Sequence, residues 1–95
     1  MASKLNPAEI EQVLKTNPAW KLQEDKLVRE WTFRDFLEAM KFVNRVATIA
    51  EASGHHPDIN IRYNHVLLVL VSHDAGGITK RDAAMASTID KELAS

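Results

Sequence analysis

A chain of 95 residues is the size of one domain, here expected to span 1–95, and it buries a modest core that oligomerisation would help. Lys and Arg (12) nearly balance Asp and Glu (13) for a net charge of -1, with no basic block, which disfavours direct contact with nucleic acid. Cysteine is absent, removing disulfides, thiolate metal sites and thiol nucleophiles together. The longest apolar run, Val66 to Val71, falls far short of a membrane span or a signal-peptide core, so a soluble, cytoplasmic protein is expected.

Asn6-Pro7-Ala8-Glu9 offers an N-cap, a proline at the first helical position and a carboxylate at the third, predicting a helix from about Pro7 to Lys15. Ile10, Val13 and Leu14 are its apolar stripe, and Asn17-Pro18 forbids its continuation. Trp20 and Leu22 then alternate with Lys21 and Gln23. Polar Gln23 to Lys26 turns the chain, and Leu27, Arg29, Trp31 and Phe33 alternate with Val28, Glu30 and Thr32, the pattern of a first hairpin. Thr32-Phe33-Arg34-Asp35 repeats the cap-to-acid spacing and predicts the longest helix, from about Phe33 to Ser53, closed by Gly54. Phe36, Leu37, Met40, Val43, Ala47 and Ala50 line one face of it, and Ala39, Phe42, Val46 and Ile49 a second stripe beside the first. So wide an arc exceeds what one sheet face requires, and the excess is expected to bury against a partner subunit.

Ile59, Ile61 and Tyr63 alternate with Asn60 and Arg62, and Val66 to Val71 is unbroken apolar sequence, which predicts a second antiparallel hairpin turning at Asn64-His65. That register sets Pro57 opposite Ser72 and His56 opposite His73, with Cβ atoms roughly 4.5–5.5 Å apart, and leaves His55 at the mouth of the same site. A loop with two glycines, Asp74 to Gly77, follows. Thr79-Lys80-Arg81-Asp82 opens a third helix, about Lys80 to Ala94, burying Met85, Ala86, Ile89 and Leu93. The order α-β-β-α-β-β-α predicts the α+β class, a four-stranded antiparallel sheet with helices packed on one face.

Imidazole has an unperturbed pKa of about 6.5, so three at one sheet end suggest proton transfer near neutrality. Three histidines are also a zinc ligand set. Adjacent residues of an extended chain point to opposite sides, however, so His55 and His56 do not readily share an ion, and no metal is expected. Glu51, one helical turn earlier, can orient a histidine through a carboxylate to N–H bond. The capping box accounts for Asp82, and Pro57 fixes the chain leaving the site. His65 reads as a turn residue and Tyr63 as a strand end. Trp20 and Trp31 read as core, with one free to line a pocket as a flat platform.

Glu51, His55-His56-Pro57, Tyr63, His73 and Asp82 fall at E-x3-HHP-x5-Y-x9-H-x8-D, which closely resembles the pterin-4a-carbinolamine dehydratases. The resemblance implies dimers formed through the sheets and tetramers through helices. It also implies a reaction that needs no metal or organic cofactor: loss of water from 4a-hydroxytetrahydropterin to give quinonoid dihydropterin, recycling the tetrahydrobiopterin of aromatic amino-acid hydroxylases. On this resemblance His55 and His73 flank the 4a-hydroxyl as general acids, and His56 binds the pterin and takes the N5 proton. Glu51, Pro57, Trp20, Arg81 and Asp82 complete the substrate site. Gly54 stands where members often carry Asp, and Ile59 and Asn60 where they carry aromatics. Animal members also bind a homeodomain transcription factor, so a dimerisation or coactivator module with a secondary or relict pterin site is the alternative.

Overall fold

The computed structural model describes residues 3–93, in the order α-β-β-α-β-β-α. Helix α1 (Pro7–Thr16) starts as its sequence requires. The Asn6 side chain accepts from the Glu9 N–H at 2.8 Å and Glu9 accepts from the Asn6 N–H at 2.8 Å, a reciprocal capping box with Pro7 just inside. Strands β1 (Lys21–Gln23) and β2 (Lys26–Thr32) are joined by Glu24 and Asp25, whose φ values of 51 and 62° give the left-handed pair that suits a two-residue hairpin.

Helix α2 (Phe36–Ser53) begins later than Thr32 would have started it. Two cap-to-acid pairs overlap here, Thr32 with Asp35 and Asp35 with Glu38, and sheet pairing chooses between them. Thr32 ends β2 with its hydroxyl 3.0 Å from His65 Nδ1, and Phe33 donates its N–H to Asn64 O at 2.8 Å. Asp35 is left to cap the helix by accepting from the Glu38 N–H at 2.9 Å. The buried stripe of α2 is Ala39, Phe42, Val43, Val46 and Ala50, so the stripe expected to be accessory supplies most of the core. Phe36 and Leu37, expected to face the sheet, remain 50% and 64% exposed.

Strands β3 (Asp58–Arg62) and β4 (His65–Leu70) pair with Ile61 opposite Val66 and Ile59 opposite Leu68. The turn is therefore Tyr63-Asn64, one residue earlier than expected. Tyr63 adopts the positive φ, 54°, and Asn64 is committed elsewhere: its Nδ2 donates to Phe33 O at 2.8 Å while its own carbonyl accepts from Phe33. This two-way clamp onto the end of β2 sets the turn position. Helix α3 (Lys80–Leu93) buries the four expected apolar residues and also Asp82; its expected last residue, Ala94, lies outside the described residues.

The sheet order is β1-β2-β4-β3, antiparallel throughout. Leu27, Val66, Leu68 and Leu70 point inward at 0% exposure and share one core with Phe42, Val46, Met85 and Ile89 from the helices. Residues of the opposite phase are exposed, as Glu30 and Asn60 are, or half-buried, as Val28, Leu67 and Val69 are. β3 is an edge strand exposed along its whole length, so Ile59 and Ile61 are less buried than their alternation suggests.

Gly54 ends α2 in the left-handed region (φ 66°), and a Cβ built there meets no atom within 4 Å. The expected cost of Gly54→Ala is therefore conformational alone, about 1–2 kcal/mol. A lower urea midpoint at unchanged slope would show it; an unchanged midpoint would mean that the α2 terminus relaxes freely.

Candidate active site

The inward phase of β4 (residues 66, 68 and 70) continues past the strand to Ser72, which is 1% exposed. A polar side chain thus enters the core layer where the apolar run stops. Ser72 exchanges backbone bonds with Gly77, at 2.9 Å to Gly77 O and 3.3 Å from the Gly77 N–H, and this isolated bridge closes the turn holding His73, Asp74, Ala75 and Gly76. Gly76 takes a positive φ (73°) that lets so short a turn close. On the facing side, the left-handed exit at Gly54 delivers His55, His56 and buried Pro57 to the same corner.

Between these two segments stands the first turn of α3. Asp82 is 0% exposed, yet both carboxylate oxygens are met. Oδ2 accepts from the Thr79 N–H at 2.9 Å and from the Ser72 hydroxyl at 2.9 Å, and Oδ1 lies 2.6 Å from His55 Nε2. The capping box was expected to account for Asp82 by itself. It supplies one of three partners, because the same carboxylate is where the strand end and the histidine segment meet the helix.

Glu51, in the last turn of α2, reaches His56: Oε2 lies 2.5 Å from Nε2, with both side chains largely in solvent. An exposed pair of this kind contributes at most about 1 kcal/mol, so its principal effect is on ring orientation.

His56 and His73 are not cross-strand partners. The earlier turn moves the register by two residues, the last β3–β4 pair is Asp58 with Val69, and Pro57 has no N–H with which to extend the ladder. The segments are tied through the carboxylate instead: His55 and Ser72 share Asp82, and His73, exposed on its turn, is the residue after Ser72.

Arg81 turns towards that same loop, its Nη2 donating to Asp74 Oδ1 at 2.5 Å, and its Nε is buried without a partner among the described residues. The Arg81 hydrogen bond holds the Asp74 carboxyl below its ordinary value. Trp20 is placed elsewhere. Its indole is buried, donates to Asp90 Oδ1 at 2.9 Å beside Arg29 at 2.6 Å, and packs edge-on to Trp31 at 5.8 Å. Asp90 lies two turns along α3 from Asp82, roughly 12 Å, so the Trp20 indole nitrogen is anchored at the last turn of that helix. Thr32 holds His65 at the far end of the sheet, beside a depression of about 560 Å³ lined by Glu30, Arg62 and Tyr63.

Among the described residues no group of three or more His, Cys, Asp or Glu is arranged to hold a metal ion, and no helix is long and apolar enough to cross a membrane. Ser72 is the residue of the corner that sequence reading missed. Its signal was a hydroxyl falling on the buried phase of a strand.

Residues 3–92 match the model of the family described as Pterin 4 alpha carbinolamine dehydratase. A protein of Acidobacterium capsulatum with the provisional name pterin-4-alpha-carbinolamine dehydratase is 54% identical over 91 residues, 96% of this chain and 99% of its own. One of the same provisional name from Thermomicrobium roseum is 54% identical over 93 residues, 98% of this chain and 99% of its own. Among solved structures, a transcriptional coactivator/pterin dehydratase from Brucella melitensis superposes with a TM-score of 0.88 at 28% identity, covering 94% of this chain and 97% of that one. A pterin dehydratase-like protein identified as a RuBisCO assembly factor in the α-carboxysome gives 0.67 at 24% identity, over 81% and 92% of the chains, a likeness of fold.

Because the Asp74 value is depressed in the folded protein, the order that its pair with Arg81 lends the His73 turn is present above about pH 4 and lost as pH falls through the lowered value. The amide resonances of Ala75 and Gly76 are expected to show a movement below about pH 4. Asp74→Asn should abolish that movement. A titration left unaltered by Arg81→Gln would disconnect the pair from the turn.

Proposed function

The chain belongs to the pterin 4 alpha carbinolamine dehydratase family, and on that premise we propose that it eliminates water from 4a-hydroxytetrahydropterin to give quinonoid dihydropterin. The C4a–O bond breaks with its electron pair leaving on oxygen, which takes a proton and departs as water. The N5–H proton is removed, and the N5 electron pair closes the C4a=N5 bond. Both proton movements suit positioned imidazoles, each worth typically 10²- to 10⁴-fold. The observation that carries this reading is the pairing of His55 and His56, each through Nε2 to its own carboxylate at 2.6 and 2.5 Å, at the corner that also holds the His73 turn.

In the proposed roles, His55 and His73 serve the departing hydroxyl, and His56, oriented by Glu51, serves N5. Pro57 sets the course of the chain past the pterin, and Arg81 holds the turn that presents His73. Trp20 enters only as support for the sheet, given its bond to Asp90. The product is the form from which the cofactor of an aromatic amino-acid hydroxylase is regenerated, which makes such a hydroxylase the expected metabolic partner.

The decay of 4a-hydroxytetrahydropterin, followed by absorbance, tests the reaction. Wild type is expected to accelerate it, and His55→Ala and His73→Ala each to lose about 10²-fold or more. If all three leave the spontaneous rate unchanged, the dehydratase reading is lost. The second reading, a protein-binding module with a relict site, would then be preferred; it draws on the exposed Phe36 and Leu37.

The same two side chains support the helix-mediated part of an assembly of two or four copies. Sedimentation of wild type at micromolar concentration is expected to show more than a monomer, and Leu37→Glu to lower the mass. A wild-type monomer would count against assembly.

A further inference from the structure

Of the polar groups at this corner, Ser72 and Thr79 are the two that the proposed reaction does not use, and both are buried at 1% and 0% exposure. Their hydrogens can be assigned by counting. A serine hydroxyl has one proton, and Ser72 donates it to Asp82 Oδ2 at 2.9 Å. The 2.8 Å contact between Ser72 Oγ and Thr79 Oγ1 must therefore carry the threonine proton, donated to Ser72. Thr79 Oγ1 accepts in turn from the Arg81 N–H at 3.2 Å. Every donor in the chain is thus directed towards Asp82, which faces Ser72, the Thr79 amide and His55 and no acceptor among the described residues.

An ionised carboxylate can only accept, so the bond at Oδ1 requires the proton of the neutral His55 ring to sit on Nε2. Nδ1 is then the free nitrogen. It has no hydrogen-bond partner among the described residues, and it is not one of the buried side-chain atoms left unpaired, so it keeps access to solvent. The terminal torsion of an aspartate is broad and does not by itself fix the carboxylate plane. Here the plane is set by the two bonds at Oδ2, one from the backbone of α3 and one from Ser72.

We propose that Ser72 and Thr79 are positioning residues that aim Asp82 at His55, hold its neutral ring in the Nε2–H tautomer, and so make Nδ1 the atom that exchanges a proton with the substrate. This deepens the dehydratase reading and rests on the role given there to His55.

The test pairs an activity-independent readout with kinetics. Long-range ¹H–¹⁵N correlation spectra of the labelled full chain without substrate, at a pH where the rings are neutral, report each tautomer. Wild type is expected to show His55 as the single Nε2–H form. Ser72→Ala and Thr79→Val, the latter keeping the backbone N–H, are expected to show both forms and to lower kcat about tenfold at unchanged KM, the scale of one lost hydrogen bond. Ser72→Thr, which restores the hydroxyl, should recover both. Thr79→Val keeps the test alive should Ser72→Ala fail to fold.

Variants that retain the single tautomer would overturn the proposal, whether kcat is intact or falls only in step with thermal stability. A tautomer mixture in the variants of a protein whose wild type accelerates no dehydration would sustain the positioning while sinking the dehydratase reading. An active wild type with a fixed tautomer in every variant would do the reverse.

Discussion

A carboxylate shut away from water must be met by donors from every direction that packing leaves open, or it takes up a proton. Asp82 is met from three: the helix that carries it, the end of the central strand β4, and the segment leaving α2. Those are the three elements that form the corner, so a single buried side chain acts as their common point of attachment. The geometry of the histidine segment is in this sense a by-product of solving a solvation problem. Removing one donor would leave the others facing a poorly satisfied charge, which is why such networks tend to be retained whole.

The division of labour between the two histidine–carboxylate pairs follows from burial. His55 and Asp82 meet in a dry environment where electrostatic interactions are strong and side chains have few alternatives. His56 and Glu51 meet in water, where the pair orients a ring without adding much stability. One pair is part of the architecture and the other is mounted on it. The core that supports both lies on one side of the sheet, and the Trp20–Asp90–Arg29 cluster ties the β1–β2 end of that sheet to the last turn of α3.

Much of this was legible before any coordinates. Helix and strand order, the α1 capping box, Gly54 as the end of α2 and the buried set of α3 all follow from local rules that tertiary structure left undisturbed. The errors share one origin. Thr32 against Asp35 as the α2 cap, and Asn64-His65 against Tyr63-Asn64 as the turn, were each a choice between two locally acceptable options, and one long-range contact, the Asn64 clamp on Phe33, decided both. The same shift undid the expected facing of His56 and His73. Trp20 read as core from its spacing and is buried, but the partner of its indole, Asp90, is 70 residues away and carried no local signal. Ser72 went unread because a lone hydroxyl at the end of an apolar run carries no chemistry until its neighbours are known.

The bridge between Ser72 and Gly77 divides the corner into two parts of different character. Everything inward of it is locked by buried bonds; the four residues outside it, His73 to Gly76, are held to that interior by their ends, by the Ala75 N–H donating to Ser72 O and by the Arg81–Asp74 pair. Apart from His73, Asp74 and Gly76, side chains there can change while the buried carboxylate stays put. Natural variation in what this scaffold accommodates therefore has an inexpensive place to accumulate, a detachable rim around a fixed base.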